Sequence, residues 1–245
     1  MRNMRLKPAL TYRFKDSLRG VFIFTGVYLA IYTVLFLIAG LMADWNVSMF
    51  GSYGFAAVIF IFVFGICTIR DDLRTLIQHG AGRRTAFLAN MLSAAVTAAI
   101  LLVVGKCFQL LETAITGAVS FSDIITDDLV VQLWQMEPGS TAAYLLTAAA
   151  GFLVLLLAHL GGSLISLLFY RLPKPWNIVA GVGVPLLLLN GLPLLAFSGA
   201  DWLTEFVRFI FSGILPLLCA LAALCLLTAL CNWLLVRRTP IRAAK

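Results

Sequence analysis

Apolar residues run in six long blocks along the chain, separated by short polar breaks, at approximately 20–42, 50–69, 86–111, 141–168, 177–199 and 208–236. A helix needs about 20 mostly apolar residues to cross a hydrocarbon core roughly 30 Å thick, and each block has that length. Lipid offers the backbone no hydrogen-bond partners, so the blocks are expected to be helices that satisfy their own N–H and C=O groups. A membrane barrel would show shorter segments of alternating hydrophobicity instead. The expected fold class is an all-α polytopic membrane protein of six transmembrane helices, in a single transmembrane domain spanning 1–245. The longest connection, about 112–140, falls below the roughly 40 residues at which small domains become marginal. No internal repeat and no low-complexity tract is visible.

Composition strengthens this reading. Hydrophobic residues make up 62% of the 245 positions and charged residues 12%, whereas soluble domains are about half apolar and about a quarter charged. A soluble globular protein, a disordered chain and a nucleic-acid module are therefore excluded. The net charge of +7 is explained by position. Sixteen of the eighteen Lys and Arg residues fall in the N-terminal tail, the 70–85 loop, the 170–176 loop and the C-terminal tail; only Lys106 and Arg208 fall elsewhere. Positive residues stay cytoplasmic during insertion, so both termini are expected in the cytoplasm, with an even number of spans. Asp44, Glu112, Asp123, Asp127, Asp128, Glu137, Asp201 and Glu205 are expected outside. The basic tail before the first block resembles the start of a signal peptide, but the block is too long and no A-x-A site follows, so it reads as a retained span.

Two stretches at the basic side carry finer patterns. In 9–19, Leu10, Phe14 and Leu18 recur every four residues, with Arg13, Lys15 and Arg19 on other faces. This spacing predicts a short amphipathic helix lying in the headgroup layer, its apolar side toward lipid; a solvated basic tail is the alternative. In 70–85, Asp71 and Asp72 suit a helix start. Leu73, Leu76 and Ile77 form a small apolar stripe, Gly80 is a natural helix stop, and Arg83 and Arg84 mark the edge of the third block. The segment reads either as a tight turn with solvated charges or as a knob that docks into a partner's groove.

Catalytic chemistry is not legible. No GxxxxGK[ST] phosphate loop occurs, so ATP hydrolysis would have to be supplied by another chain. Gly161-Gly162-Ser163 superficially matches an intramembrane serine-protease motif, but the only intramembrane histidine, His159, sits on the same helix, and a Ser nucleophile needs a base within reach. HExxH is absent, and Cys67, Cys107, Cys219, Cys225 and Cys231 form no CxxC pair; the cysteines read as small apolar packers. No catalytic, metal or cofactor-binding residue is therefore expected. His159 and Asn190 are the notable polar groups inside blocks. They read either as interhelical hydrogen-bonding groups or as polar points lining a translocation path. Pro185 and Pro193 predict a kinked or broken fifth helix. Ala94/Ala98, Ala95/Ala99 and Gly26/Ala30 have the spacing of close helix contacts.

The order of these features, with Ile69-Arg70, Leu73-Arg74, Leu76-Ile77, Gly80 and Arg83-Arg84 between the second and third blocks, resembles the permease subunit of the type-2 ABC transporter family, in its compact six-span bacterial form. The likeness covers the whole chain as architecture and about 66–90 as a pattern. It implies that 9–19 is an elbow helix and that 70–82 is a coupling helix. The ATPase-coupling interface would comprise Arg70, Asp71, Asp72, Leu73, Arg74, Leu76, Ile77, Gln78, His79 and Gly80. It further implies two ABC ATPase subunits binding ATP and Mg, a second permease copy or homologous permease, and a bacterial inner-membrane location. The expected function is that of a permease subunit, by family likeness an exporter, with no enzyme activity of its own. An ATP-independent carrier or channel and a non-transporting scaffold are the competing readings.

Overall fold

The computed structural model describes residues 6–42, 53–116, 141–171, 205 and 208–238. Five long helices form: α1 (Leu6–Met42), α2 (Tyr53–Gln78), α3 (Arg83–Thr116), α4 (Thr141–Arg171) and α5 (Ile214–Arg238). All five are long and apolar enough to cross a membrane, and no strand occurs among the described residues. The fifth apolar block, 177–199, with Asn190, Pro185 and Pro193, lies outside the described residues, as does the acidic stretch 123–128. The last block begins later than expected. A turn at Phe211 and Ser212 and then Gly213 precede α5, and Ser212 N–H donates to the Phe209 carbonyl. Pro216 falls in the first turn of α5, where its missing N–H leaves no helical bond unmade, so it opens that helix without kinking it.

The surface is apolar and the interior is small and mixed. Phe22, Leu110, Leu145 and Leu226 are each more than 70% exposed, while Ala57, Ala89, Ala94 and Ala98 are fully buried. This distribution fits helices solvated by lipid, where interfaces favour small residues that bring backbones close. Ala94 and Ala98 pack as their spacing suggests, whereas Gly26 faces nothing within 4 Å among the described residues.

The helices run in alternating directions up to α4, and α5 then runs parallel to α4. Arg13 and Ser17 of α1 pair with Asn90 and Ser93 of α3. Leu153 and Leu160 of α4 receive Cys225 and Asn232 of α5. One end of the bundle therefore collects the start of α1, the end of α2, the start of α3 and the ends of α4 and α5. Lys15, Arg19, Arg74, Arg83, Arg84, Arg171 and Arg237 all belong to it, and it is called the basic end below. Toward the other end, aromatic rings fill the contact of α1, α2 and α3. Phe24 stacks on Phe60 at 4.3 Å, and Tyr53 meets Tyr28 and Phe108 edge-on, each at 5.0 Å.

The most extensive packing joins α2 and α4. Glycine explains it. A Cβ on Gly65 would come 2.5 Å from the His159 carbonyl oxygen, and a Cβ on Gly162 would overlap the Phe62 carbonyl. The two backbones touch at a depth that no larger residue permits.

Two expectations at the basic end are corrected. Residues 9–19 are not a separate helix in the headgroup plane; they are the first part of the unbroken α1, which lies along α3. No proline interrupts residues 9–19, and Arg13 and Ser17 bond to Asn90 and Ser93 of α3. Residues 70–78 likewise are not a free-standing coupling helix. They continue α2 from the apolar block without a break, because nothing between Ile69 and Gln78 opposes helix propagation.

Candidate functional site at the basic end

At the basic end three helices meet around a buried guanidinium. Arg13 of α1 is 1% exposed. It forms an ion pair with Asp72 of α2 and donates from Nη2 to Asn90 Oδ1 of α3. One turn further along, Ser17 Oγ and Ser93 Oγ lie 2.8 Å apart, and Thr97 donates to the Ser93 carbonyl. Arginine suits this junction because its planar fork serves two acceptors at once. Its charge is tolerated because a carboxylate answers it. Removing one member of a buried pair typically costs about 3–5 kcal/mol, since the other charge is left without a partner.

The contact face of α1 differs from the predicted one. Ala9, Arg13, Ser17 and Val21 are buried, at a spacing of four residues. Leu10, Phe14 and Leu18 are only half-buried, lying about 100° around the helix from that stripe. Ala9 and Ser17 are small enough for α1 to approach closely, and this approach brings the Arg13 side chain to Asp72 and Asn90. A sequence signal existed: a polar run of Asn90, Ser93 and Thr97 along one face of an otherwise apolar α3, and a carboxylate pair in a strongly basic loop.

Beyond this junction α2 ends and turns. Gly80 N–H donates to the Ile77 carbonyl at 3.0 Å, and Ala81 N–H to the Leu76 carbonyl at 2.8 Å. Gly80 takes φ 81°, the left-handed conformation that favours glycine. This is a Schellman cap, with Ala81 and Leu76 making the accompanying apolar contact. Gly80 thus stops α2 where its sequence position suggests. The same geometry turns the predicted apolar stripe inward. Leu76 packs with Ala9, Ala81, Ala86 and Ala89, and Leu73 lies against this cluster and against that of Ile69, Leu167 and Val236.

The ten residues expected to contact a partner therefore fall into distinct groups. Asp72 and Leu76 are buried; Leu73, Arg74 and Ile77 are half-buried; Gln78, His79 and Gly80 are exposed. Arg70 and Asp71 lie in α2, and their side chains are outside the described residues. His79 Nδ1 lies 2.7 Å from the Thr75 carbonyl, which ties its ring back to the helix. The exposed rim of the turn is completed by Gly82 and Arg84. Arg83 donates to the Arg237 carbonyl, joining the start of α3 to the end of α5, and Phe87 packs on Trp233 with ring centroids 5.2 Å apart.

His159 sits elsewhere, in the closest part of the α2–α4 contact, 2% exposed and 6.3 Å from the Phe64 ring. Sequence reasoning passed over Asn232, which is equally buried and donates from Nδ2 to the Leu160 carbonyl at 3.0 Å. Asn232 and Cys225 are seven residues apart and serve one seam, a signal present in the sequence but diluted by the apolar residues around them. Among the described residues no group of three His, Cys, Asp or Glu side chains could hold a metal ion. Comparison with protein-family models, with curated proteins and with solved structures returns no match for this chain.

Proposed function

We propose that this chain is the membrane-spanning permease subunit of a transporter driven by a separate ATPase subunit, with the α2–α3 turn as the point where force enters. The observation that carries the reading is the mounting of that turn. Its rim of Gln78, His79, Gly80 and Arg84 is exposed, while the helix ends behind it are fastened to α1 through Arg13, Asp72 and Asn90. A push on a loosely held loop would dissipate locally. A push on this turn reaches α1, α2 and α3 together, which is the kind of shared element that coupling between sites requires.

The basic end is then cytoplasmic. The ends of α4 and α5 lie together there, and the apolar block 177–199 has the length that a sixth crossing would need. Two permeases and two ATPases would form the working assembly in a bacterial inner membrane. The docking surface is narrower than the ten-residue stretch: the exposed tip makes contact, and Leu73 and Leu76 serve the fold.

The test is recovery of partners from native membranes in mild detergent. An ATP-binding subunit should co-purify, and a chain carrying Gln78→Glu and His79→Glu should fold normally yet lose it. Transport by the purified chain alone in liposomes, at a rate unchanged by any ATPase, would overturn the proposal.

A further inference from the structure

The three helix ends at the basic end share one buried fastening. Arg13 contacts both Asp72 of α2 and Asn90 of α3. On either side of it lie the Ser17–Ser93 contact and the small apolar cluster of Ala9, Leu76, Ala81, Ala86 and Ala89. That cluster is made largely of alanine, so it contributes little burial per residue, and the Ser–Ser bond is neutral and modest. Removing one member of the charged junction should therefore loosen these ends more than removing either neighbour, because it leaves a buried charge without a partner.

Length places this region away from the apolar body. Residues 6–19 of α1 extend about 21 Å before the first apolar block begins, and residues 70–78 of α2 extend about 13 Å after the second one ends.

We infer that residues 9–17 of α1, 72–79 of α2 and 86–93 of α3 form one rigid pedestal that opens and moves as a single body, with Arg13 as its keystone. Arg13 is thus a positioning residue. It sets the orientation of the α2–α3 turn relative to α1 without touching a ligand. The inference concerns the chain by itself and holds whether or not an ATPase docks on the turn.

Hydrogen–deuterium exchange of the full chain in detergent tests it. In the unaltered protein the three segments should exchange at one common rate, because they are released by one opening event. Arg13→Ala should speed exchange in all three together, by about 150- to 5,000-fold, while 155–167 of α4 keeps its protection. Arg13→Lys retains the charge but not the two-acceptor fork and should give an intermediate rate in all three. The exchanged pair R13D/D72R should restore protection. If Arg13→Ala proves too unstable to purify, Asn90→Ala and Arg13→Lys carry the same comparison. The inference is overturned if any of these single variants loosens α1 alone while 72–79 and 86–93 stay protected. Three distinct rates in the unaltered chain would overturn it equally.

Discussion

Gly161 and Gly162 are neighbours in one helix, yet an added methyl should have opposite consequences at the two. At Gly161 the nearest atom to a new Cβ is the edge of the Phe62 ring at 3.9 Å, an ordinary contact. Replacing a mid-helix glycine by alanine there lowers the entropy of the unfolded chain and should stabilise by about 0.5–1 kcal/mol. At Gly162 the new Cβ overlaps the Phe62 carbonyl and also meets Ile66 N at 3.2 Å. These are backbone atoms and cannot rotate aside, so α4 must back away from α2. Separation by about 1 Å along the closest helix contact forfeits a quarter to a half of the dispersion energy across it. Overpacking of this kind costs about 1–3 kcal/mol and more where both sides are rigid. The propensity gain is common to the two variants and cancels, so they should differ by the overpacking cost, about 1–3 kcal/mol or more. Thermal unfolding in detergent, followed by tryptophan fluorescence, reads the difference directly. Gly161→Ala should melt at or above the unaltered chain and Gly162→Ala well below it. Equal midpoints for the two would refute the claim that α2 and α4 touch backbone to backbone at this point.

Three further outcomes follow from the same geometry. Gly80→Ala should destabilise by about 1–2 kcal/mol because its φ of 81° is strained for any residue with a Cβ, and Gly80→Asn should lose less; denaturant midpoints in detergent check both. Asn232→Leu keeps the branched shape but removes the bond to the Leu160 carbonyl, and should cost about 0.6–2 kcal/mol, seen as a lowered melting temperature. Leu76→Asp places an unpaired carboxylate in the cluster with Ala9 and Ala86, so it should lower folded yield of the isolated chain by more than Gln78→Glu does; equal yields of the two, measured by size-exclusion chromatography, would show that Leu76 is not a core residue.

The helical architecture was legible because the bilayer constrains it so strongly. A run of about 20 apolar residues in lipid has few solutions other than a helix, and the apolar blocks at 20–42, 50–69, 86–111 and 141–168 each coincide with a described helix. The stop at Gly80 was legible for a similar local reason, since few residues tolerate a left-handed backbone. The basic end was harder. Leu10, Phe14 and Leu18 mark the most apolar face of the first segment, yet the face that packs is Ala9, Arg13, Ser17 and Val21. Periodicity scores hydrophobicity, whereas helices in close contact select for small size and for polar groups that find partners. Arg13 read as a topology anchor because an arginine in a basic tail normally is one, and its two partners lie 59 and 77 positions away in the chain.

Leu73, Leu76 and Ile77 illustrate the same division. Their spacing determined an amphipathic helix with one apolar side, but the choice between a partner's groove and the protein's own interior depended on where α1 and α3 stand. By itself the sequence determined the number of residues each helix commits to the apolar phase, the sign of the charge at each end and the place where α2 must stop. These are local properties set by transfer free energy and backbone sterics. Only the tertiary structure decided which face of α1 is inward, that Gly162 and not Gly161 is the intolerant position, and that a guanidinium in the tail closes a three-helix junction. Such choices are set by the distance and orientation between segments far apart in the chain, which no local pattern encodes.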